Sequence, residues 1–180
     1  MSEATRIDGK TFAASLRADI GRKVTALKES HGLTPGLSVV LVGEDPASEV
    51  YVRNKGKATL EAGMKSDTFN MPADSSHDAV MAKVKELNQD PSVHGILVQL
   101  PLPDQVDTDA IINAINPDKD VDGFHTLNVG RLNSGQDAMV PCTPVGCMIM
   151  LKEVIGDLSG LPALADAAQN GAGIAGDHAV

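Results

Sequence analysis

The sequence predicts an α/β protein built as a three-layer open sheet, mostly parallel, with flanking helices. Three observations carry this. Two short, unbroken apolar runs, residues 37–42 (Leu-Ser-Val-Val-Leu-Val) and 94–100 (His-Gly-Ile-Leu-Val-Gln-Leu), have the β-branched, two-sided apolar character of buried parallel strands. Segments with helical spacing separate them, and strands alternating with helices imply right-handed crossovers. At 180 residues the chain suffices for one well-buried domain but not for two full α/β domains.

The elements follow in order. From residue 10 to 31 the apolar positions Phe12, Leu16, Ile20, Val24 and Leu27 recur every three or four residues, the mark of an amphipathic helix, and Gly32 ends it. The strand 37–42 is closed by Gly43 and Pro46, and Ser48 opens a helical pattern that stops at Gly63. Residues 67–71 read as a short strand. Ser75 or Ser76 caps a further helix through Val80, Val84 and Leu87, ending within 88–91. The strand 94–100 follows, bounded by Pro101 and Pro103. Residues 109–115 form a short helix, 117–132 a loop, and 143–154 a last helix with proline in its first turn.

Composition narrows the function classes. The 42% hydrophobic content includes few aromatics, and Tyr51 is the sole tyrosine, so the core is aliphatic. Net charge is −9 with pI about 4.9, without a basic cluster, which argues against nucleic acid and anionic membranes as partners. Cys142 and Cys147 form neither a zinc pattern nor a disulfide framework and are expected to be reduced thiols. The first residues lack a signal-like apolar stretch and no run approaches the ~20 residues of a membrane span. The expectation is a soluble, cytoplasmic protein.

Chemistry concentrates after the strands. A step of about 100° per residue puts Ser48, Val52, Lys55 and Thr59 on one helix face, with Tyr51 beside Lys55 at the i,i+4 spacing. Gln99 stands at the end of its strand, and Asp122 lies in the next loop. Open α/β sheets bind ligands outside the carboxyl ends of their strands, so these residues can surround one cleft. A lysine serves as a base only when desolvation favours its neutral form; Tyr51, Val98 and Leu100 are expected to line such a cleft. Gln99 can hydrogen-bond the neutral amine without adding negative charge. An inward Asp122 can accept two N–H groups from a ring edge. The run Asp118-Lys119-Asp120-Val121-Asp122-Gly123 opens like a calcium loop, but the twelfth position is Val129 rather than glutamate, and no metal is expected. His94 and His125 lack co-ligands and read as structural. Cys142 lacks a partnered base and is not expected to act as a nucleophile.

Four motifs in order, VGEDPASEVYVRNKGKA (42–58), GILVQLPLP (95–103), PDKDVDGFHTLNVGRL (117–132) and PCTPVG (141–146), resemble the bifunctional methylenetetrahydrofolate dehydrogenase/methenyltetrahydrofolate cyclohydrolase family, FolD, over roughly residues 5–162. The resemblance implies the family's amino-acid-dehydrogenase-like N-terminal domain and the interconversion of 5,10-methylene-, 5,10-methenyl- and 10-formyltetrahydrofolate. It implies that Lys55 is the catalytic lysine, that Tyr51 stacks on the aminobenzoyl part of folate, that Gln99 tunes and orients Lys55, and that Asp122 grips the pterin. Tyr51, Val52 and Lys55 from the first motif, Val98, Gln99, Leu100 and Pro101 from the second, and Asp122 from the third are the implied substrate contacts. It also implies homodimerisation, NADP as cofactor and a place in one-carbon metabolism.

The resemblance stops near residue 161. Residues 1–160 are expected to form the folate-binding catalytic domain, and 161–180, rich in Ala and Gly, an atypical tail in place of the family's NADP-binding domain. Gly171, Gly173 and Gly176 formally match a dinucleotide fingerprint, but no strand precedes them, so no cofactor-binding residue is expected in this chain. The alternative is a non-catalytic folate-binding or self-associating fragment. Hydride transfer needs the nicotinamide C4 and the folate methylene carbon held about 3–3.5 Å apart. The 180-residue chain is therefore expected not to reduce NADP with 5,10-methylenetetrahydrofolate, checked by absorbance of NADPH; robust folate-dependent reduction would refute this.

Overall fold

A computed structural model describes residues 7–158; the tail expected at 161–180 lies outside the described residues. The first helix, α1 (Gly9–His31), begins where Asp8 accepts the N–H groups of Lys10 and Thr11 at 3.1 and 3.2 Å. It ends at Gly32, whose φ of 66° is the left-handed conformation that a Cβ would strain. Strand β1 (Gly36–Val42) leads through Gly43 into α2 (Pro46–Glu61). Here the expected start is corrected: Asp45, not Ser48, stands at the cap. Asp45 takes the N–H of Ser48 at 2.8 Å, and Pro46 occupies the first turn because it gives up no needed donor there.

Strand β2 (Lys65–Met71) starts two residues before the expected position. Ser76 is the cap of α3 (His77–Gln89), accepting from Ala79 N at 3.2 Å. Strand β3 is shorter than the apolar run, Gly95–Val98, and α4 (Thr108–Ala114) is capped by Asp107. The loop expected at 117–132 holds an unforeseen helix, α5 (Thr126–Asn133), before α6 (Cys142–Ile155).

The sheet order is β2-β1-β3, and both pairings are parallel, with Val40 opposite Phe69 on one side and Val98 on the other. As the central strand, β1 buries both faces. Val40 and Val42 pack with Val80, Val84 and Leu87 of α3, Ile111 and Ile112 of α4, and Ile96 and Val98; Val39 and Leu41 pack with Val52 of α2 and Leu97. The far side of β3 is protected by the next segment, where Ile96 N donates to Lys119 O at 2.7 Å and Asp120 bridges Ile96. This contact carries the Asp122 loop alongside β3. Gly95 makes that approach possible: a Cβ there would lie 2.5 Å from Val121 Cγ1. Among the described residues no helix is long and apolar enough to cross a membrane.

Ile96 is fully buried in the larger cluster whereas Ile155 is 53% exposed. Ile96→Ala is expected to cost about 2–5 kcal/mol in urea unfolding, and Ile155→Ala to stay within about 0.5 kcal/mol; equal effects would contradict this assignment of the core.

Candidate functional site

A cavity of about 1320 Å³ runs along the β3 edge of the sheet, from Gly36 and His94 at the amino ends of β1 and β3 to α2, α4 and the start of α6. Lys55 and Thr59 from α2, Leu37 and Leu97 from the sheet, Leu100, and Asp122 with Val121 from the following loop line it; Cys142 and Pro144 at the start of α6 complete the wall. Helical spacing delivers Lys55: Ser48, Val52 and Thr59 are buried against the sheet, so the residue between them on that face projects along it. Thr59 Oγ1 donates to the carbonyl of Lys55 at 2.8 Å, which fastens that turn.

Gln99 is the first residue past β3, on the same strand face as Leu97. Its Nε2 donates to Leu100 O at 2.8 Å, leaving Oε1 to accept from Lys55 Nζ at 3.3 Å. The amide therefore offers the lysine an acceptor and no charge. Asp122 approaches from the other side of the cavity. Burial pushes its carboxyl above the usual carboxylate range, the Lys55 ammonium pulls it back, and the neighbouring Asp120 carboxylate adds to the rise. Cys142 Sγ donates to Val121 O at 3.6 Å. Burial pushes the Cys142 thiol up first, Asp122 adds to this and Lys55 opposes it, so the sulfur is held as a thiol rather than a nucleophilic thiolate.

Other expected contacts are placed differently. Val52, 5% exposed, is a core residue packed against Val39, Leu41 and Leu97, a correction to its expected place in the cleft. Val98 is corrected too: side chains alternate along a strand, so with Leu97 and Gln99 on the cleft side it points into the opposite cluster. Leu97 supplies the apolar wall in its place. Tyr51 is 62% exposed and, with Pro101 and Gln99, lies outside the cavity wall; Gln99 joins the site through its contact with Lys55. The ring is thus free to meet a ligand but does not desolvate Lys55. His94 Nδ1 accepts from Gly36 N at 3.1 Å, and His125 Nδ1 accepts from Leu127 N at 3.0 Å. No group of three or more His, Cys, Asp or Glu among the described residues is arranged to hold a metal ion.

Sequence reasoning missed Asp120 and Asn128. Each is 1% exposed, and Asn128 Nδ2 donates to Asp120 Oδ2 at 2.9 Å. Hydropathy carries no signal for this pair: in α5 the apolar Leu127, Val129 and Leu132 are exposed while the polar Asn128 is buried, the reverse of the usual helical pattern.

Residues 7–122 match the family described as tetrahydrofolate dehydrogenase/cyclohydrolase, catalytic domain. The chain is 62% identical over 161 residues to bifunctional protein FolD 2 of Roseobacter denitrificans, covering 89% of this chain and 54% of that protein. It is 59% identical over 161 residues to bifunctional protein FolD of Cereibacter sphaeroides, with the same coverage. Among solved structures, the bifunctional enzyme FolD of Campylobacter jejuni superposes with a TM-score of 0.84 at 44% identity, over 87% of this chain and 55% of that one. The Trypanosoma brucei dehydrogenase-cyclohydrolase, solved with NADP cofactor and inhibitor, gives 0.84 at 34% identity, over 89% and 55%. The chain thus spans about half the length of the curated relatives it matches.

The rise at Asp122 fixes a sign. Unfolded, the residue titrates near 3.8 and folded above it. Between these values the folded chain keeps a proton that the unfolded chain has lost, so stability falls as pH rises through the window and stays lower beyond it. Asp122→Asn is therefore expected to raise the melting temperature at neutral pH, with the gain vanishing below about pH 3.8. A neutral-pH melting temperature at or below the parent's, by calorimetry, would contradict the burial argument.

Proposed function

The chain belongs to the tetrahydrofolate dehydrogenase/cyclohydrolase family, and on that premise we propose that its cavity holds a tetrahydrofolate derivative and that Lys55 transfers protons during the cyclohydrolase step. The observation that carries this reading is the Lys55 Nζ to Gln99 Oε1 contact of 3.3 Å beside a cavity whose other side holds the half-buried carboxyl of Asp122.

In this proposal water adds to the bridging carbon of 5,10-methenyltetrahydrofolate and the bond from that carbon to N5 breaks, giving 10-formyltetrahydrofolate. One proton of the water ends on N5 and the other is released. Lys55 takes a proton from the attacking water and returns one to N5. Gln99, its orientation set by Leu100 O, holds the amine without a charge that would retain the proton. Asp122 accepts two N–H groups from the amino-pyrimidine edge, and the exposed ring of Tyr51 stacks on the aminobenzoyl group.

The dehydrogenase step of the family passes hydride from 5,10-methylenetetrahydrofolate to NADP. The described residues suit the folate side of that reaction alone. Their loops after β1, β2 and β3 carry Glu44 and Asp45, Asp74, and Asp104, carboxylates that oppose a pyrophosphate. Cytoplasmic residence and self-association belong to the same proposal; exposed Ile149, Val154 and Ile155 on α6 support the latter, since apolar surface favours association.

Lys55→Met is expected to lower hydrolysis of 5,10-methenyltetrahydrofolate by about 10²–10⁴-fold, followed by loss of methenyl absorbance, with circular dichroism unchanged. Unaltered turnover would remove Lys55 from the role. A parent chain that binds the folate in calorimetry without turnover would favour the non-catalytic fragment.

A further inference from the structure

We propose that Asp120 and Asn128 form a buried positioning pair that fixes where Asp122 stands in the cavity, acting on substrate only through it; the folate part of this inference rests on the function proposed above. The Asp120 carboxylate gathers three donors: Oδ1 accepts from Gly123 N at 3.1 Å, and Oδ2 from His125 N and Asn128 Nδ2, both at 2.9 Å. Asn128 Nδ2 also donates to Pro117 O at 2.9 Å. Residues 117, 120, 123, 125 and 128 are thereby tied to two side chains, each 1% exposed. A buried carboxylate is tolerated when such donors satisfy it, and an ionised one, which only accepts, suits three converging N–H groups.

Asp122 sits inside this closed loop. On its amino side Asp120 is pinned beside β3 by the bridge to Ile96. On its carboxyl side Gly123 turns at φ 69°, where a Cβ would come within 2.8 Å of Met139 O and 2.9 Å of Pro141. With both neighbours fixed, the direction of the Asp122 side chain follows from the backbone. The charged and titratable groups acting on it are Lys55 from α2, Asp120 from its own loop and Cys142 from the start of α6.

The test is the carboxyl ¹³C titration of Asp122 by NMR in the full chain, in the parent, in Asp120→Asn and in Asn128→Ala. Asp120→Asn removes the like charge and puts an amide where one N–H is now accepted, while Asn128→Ala leaves the charge and loosens the loop. In Asp120→Asn the Asp122 midpoint falls through loss of the like charge alone; in Asn128→Ala, which keeps that charge and is read only where the parent's circular dichroism is retained, the midpoint is expected to move down toward the ordinary carboxylate range, since a loosened loop admits water to the carboxyl. A midpoint equal to the parent's in folded Asn128→Ala would overturn the proposal, because a merely structural asparagine would leave that titration unmoved. Asn128→Ser, which also keeps the Asp120 charge, serves if Asn128→Ala does not fold. Affinity for 5-formyltetrahydrofolate by calorimetry is a separate arm, expected to weaken. A parent that binds no folate would sink the function proposed above while the titration still decides the positioning.

Discussion

The structure depends on one strand being buried on both faces and paired on both edges. β1 lies between β2 and β3 in parallel register, and four of its residues, Val39 to Val42, are at most 5% exposed. Burial at about 25 cal/mol per Å² of apolar surface makes it unfavourable to leave either face wet, so a helical layer must cover each. Parallel pairing also sends all three strand ends the same way. The end of β3 thereby brings Gln99 to Lys55 in the second half of α2, and the loop beyond Asp120 brings Asp122 to the same cavity. The site is thus a consequence of how the core is closed.

The chemistry available at this edge comes from an imbalance the fold tolerates. Gln99 gives Lys55 a neutral acceptor, and the carboxyl that faces the cavity is pushed toward its protonated form by burial and by a second carboxylate behind it. An apolar residue at position 122 would pack there at less cost. Groups whose environment disfavours their charged form cluster where chemistry is done, and here the supporting carboxylate is satisfied by backbone and amide donors rather than by a cation.

Much of this architecture was legible in the sequence because apolar periodicity and caps are local signals. The runs containing β1 and β3 stand out, and Ser76 and Gly32 mark helix ends by chemistry that depends on few residues. α2 starts at Pro46, two residues before the Ser48 that its spacing suggests, since Asp45-Pro46 fits a turn as readily as a cap and first helical residue. α5 was invisible because its apolar residues face outward and its asparagine inward. At the site, the convergence of Lys55, Gln99 and Asp122 followed from topology. Val52 and Val98 were misplaced for a simple reason: a motif is contiguous, whereas a strand alternates and a helix buries its inner stripe, so neighbours of a cavity residue face elsewhere. The Asp120–Asn128 contact joins residues eight apart across a turn, and nothing local announces it.

The most direct test of the central claim, that the cavity between Lys55 and Asp122 is the folate site, is a ¹⁵N-amide chemical-shift titration of the chain with 5-formyltetrahydrofolate. Perturbations are expected to group at Lys55, Gln99, Leu100, Asp122 and Cys142. A second hollow of about 710 Å³ lies between α1 and the end of α2, bordered by Ala14, Arg17, Gly21 and Ala62. Perturbations confined to those residues, with the amides around Lys55 and Asp122 unmoved, would contradict the account.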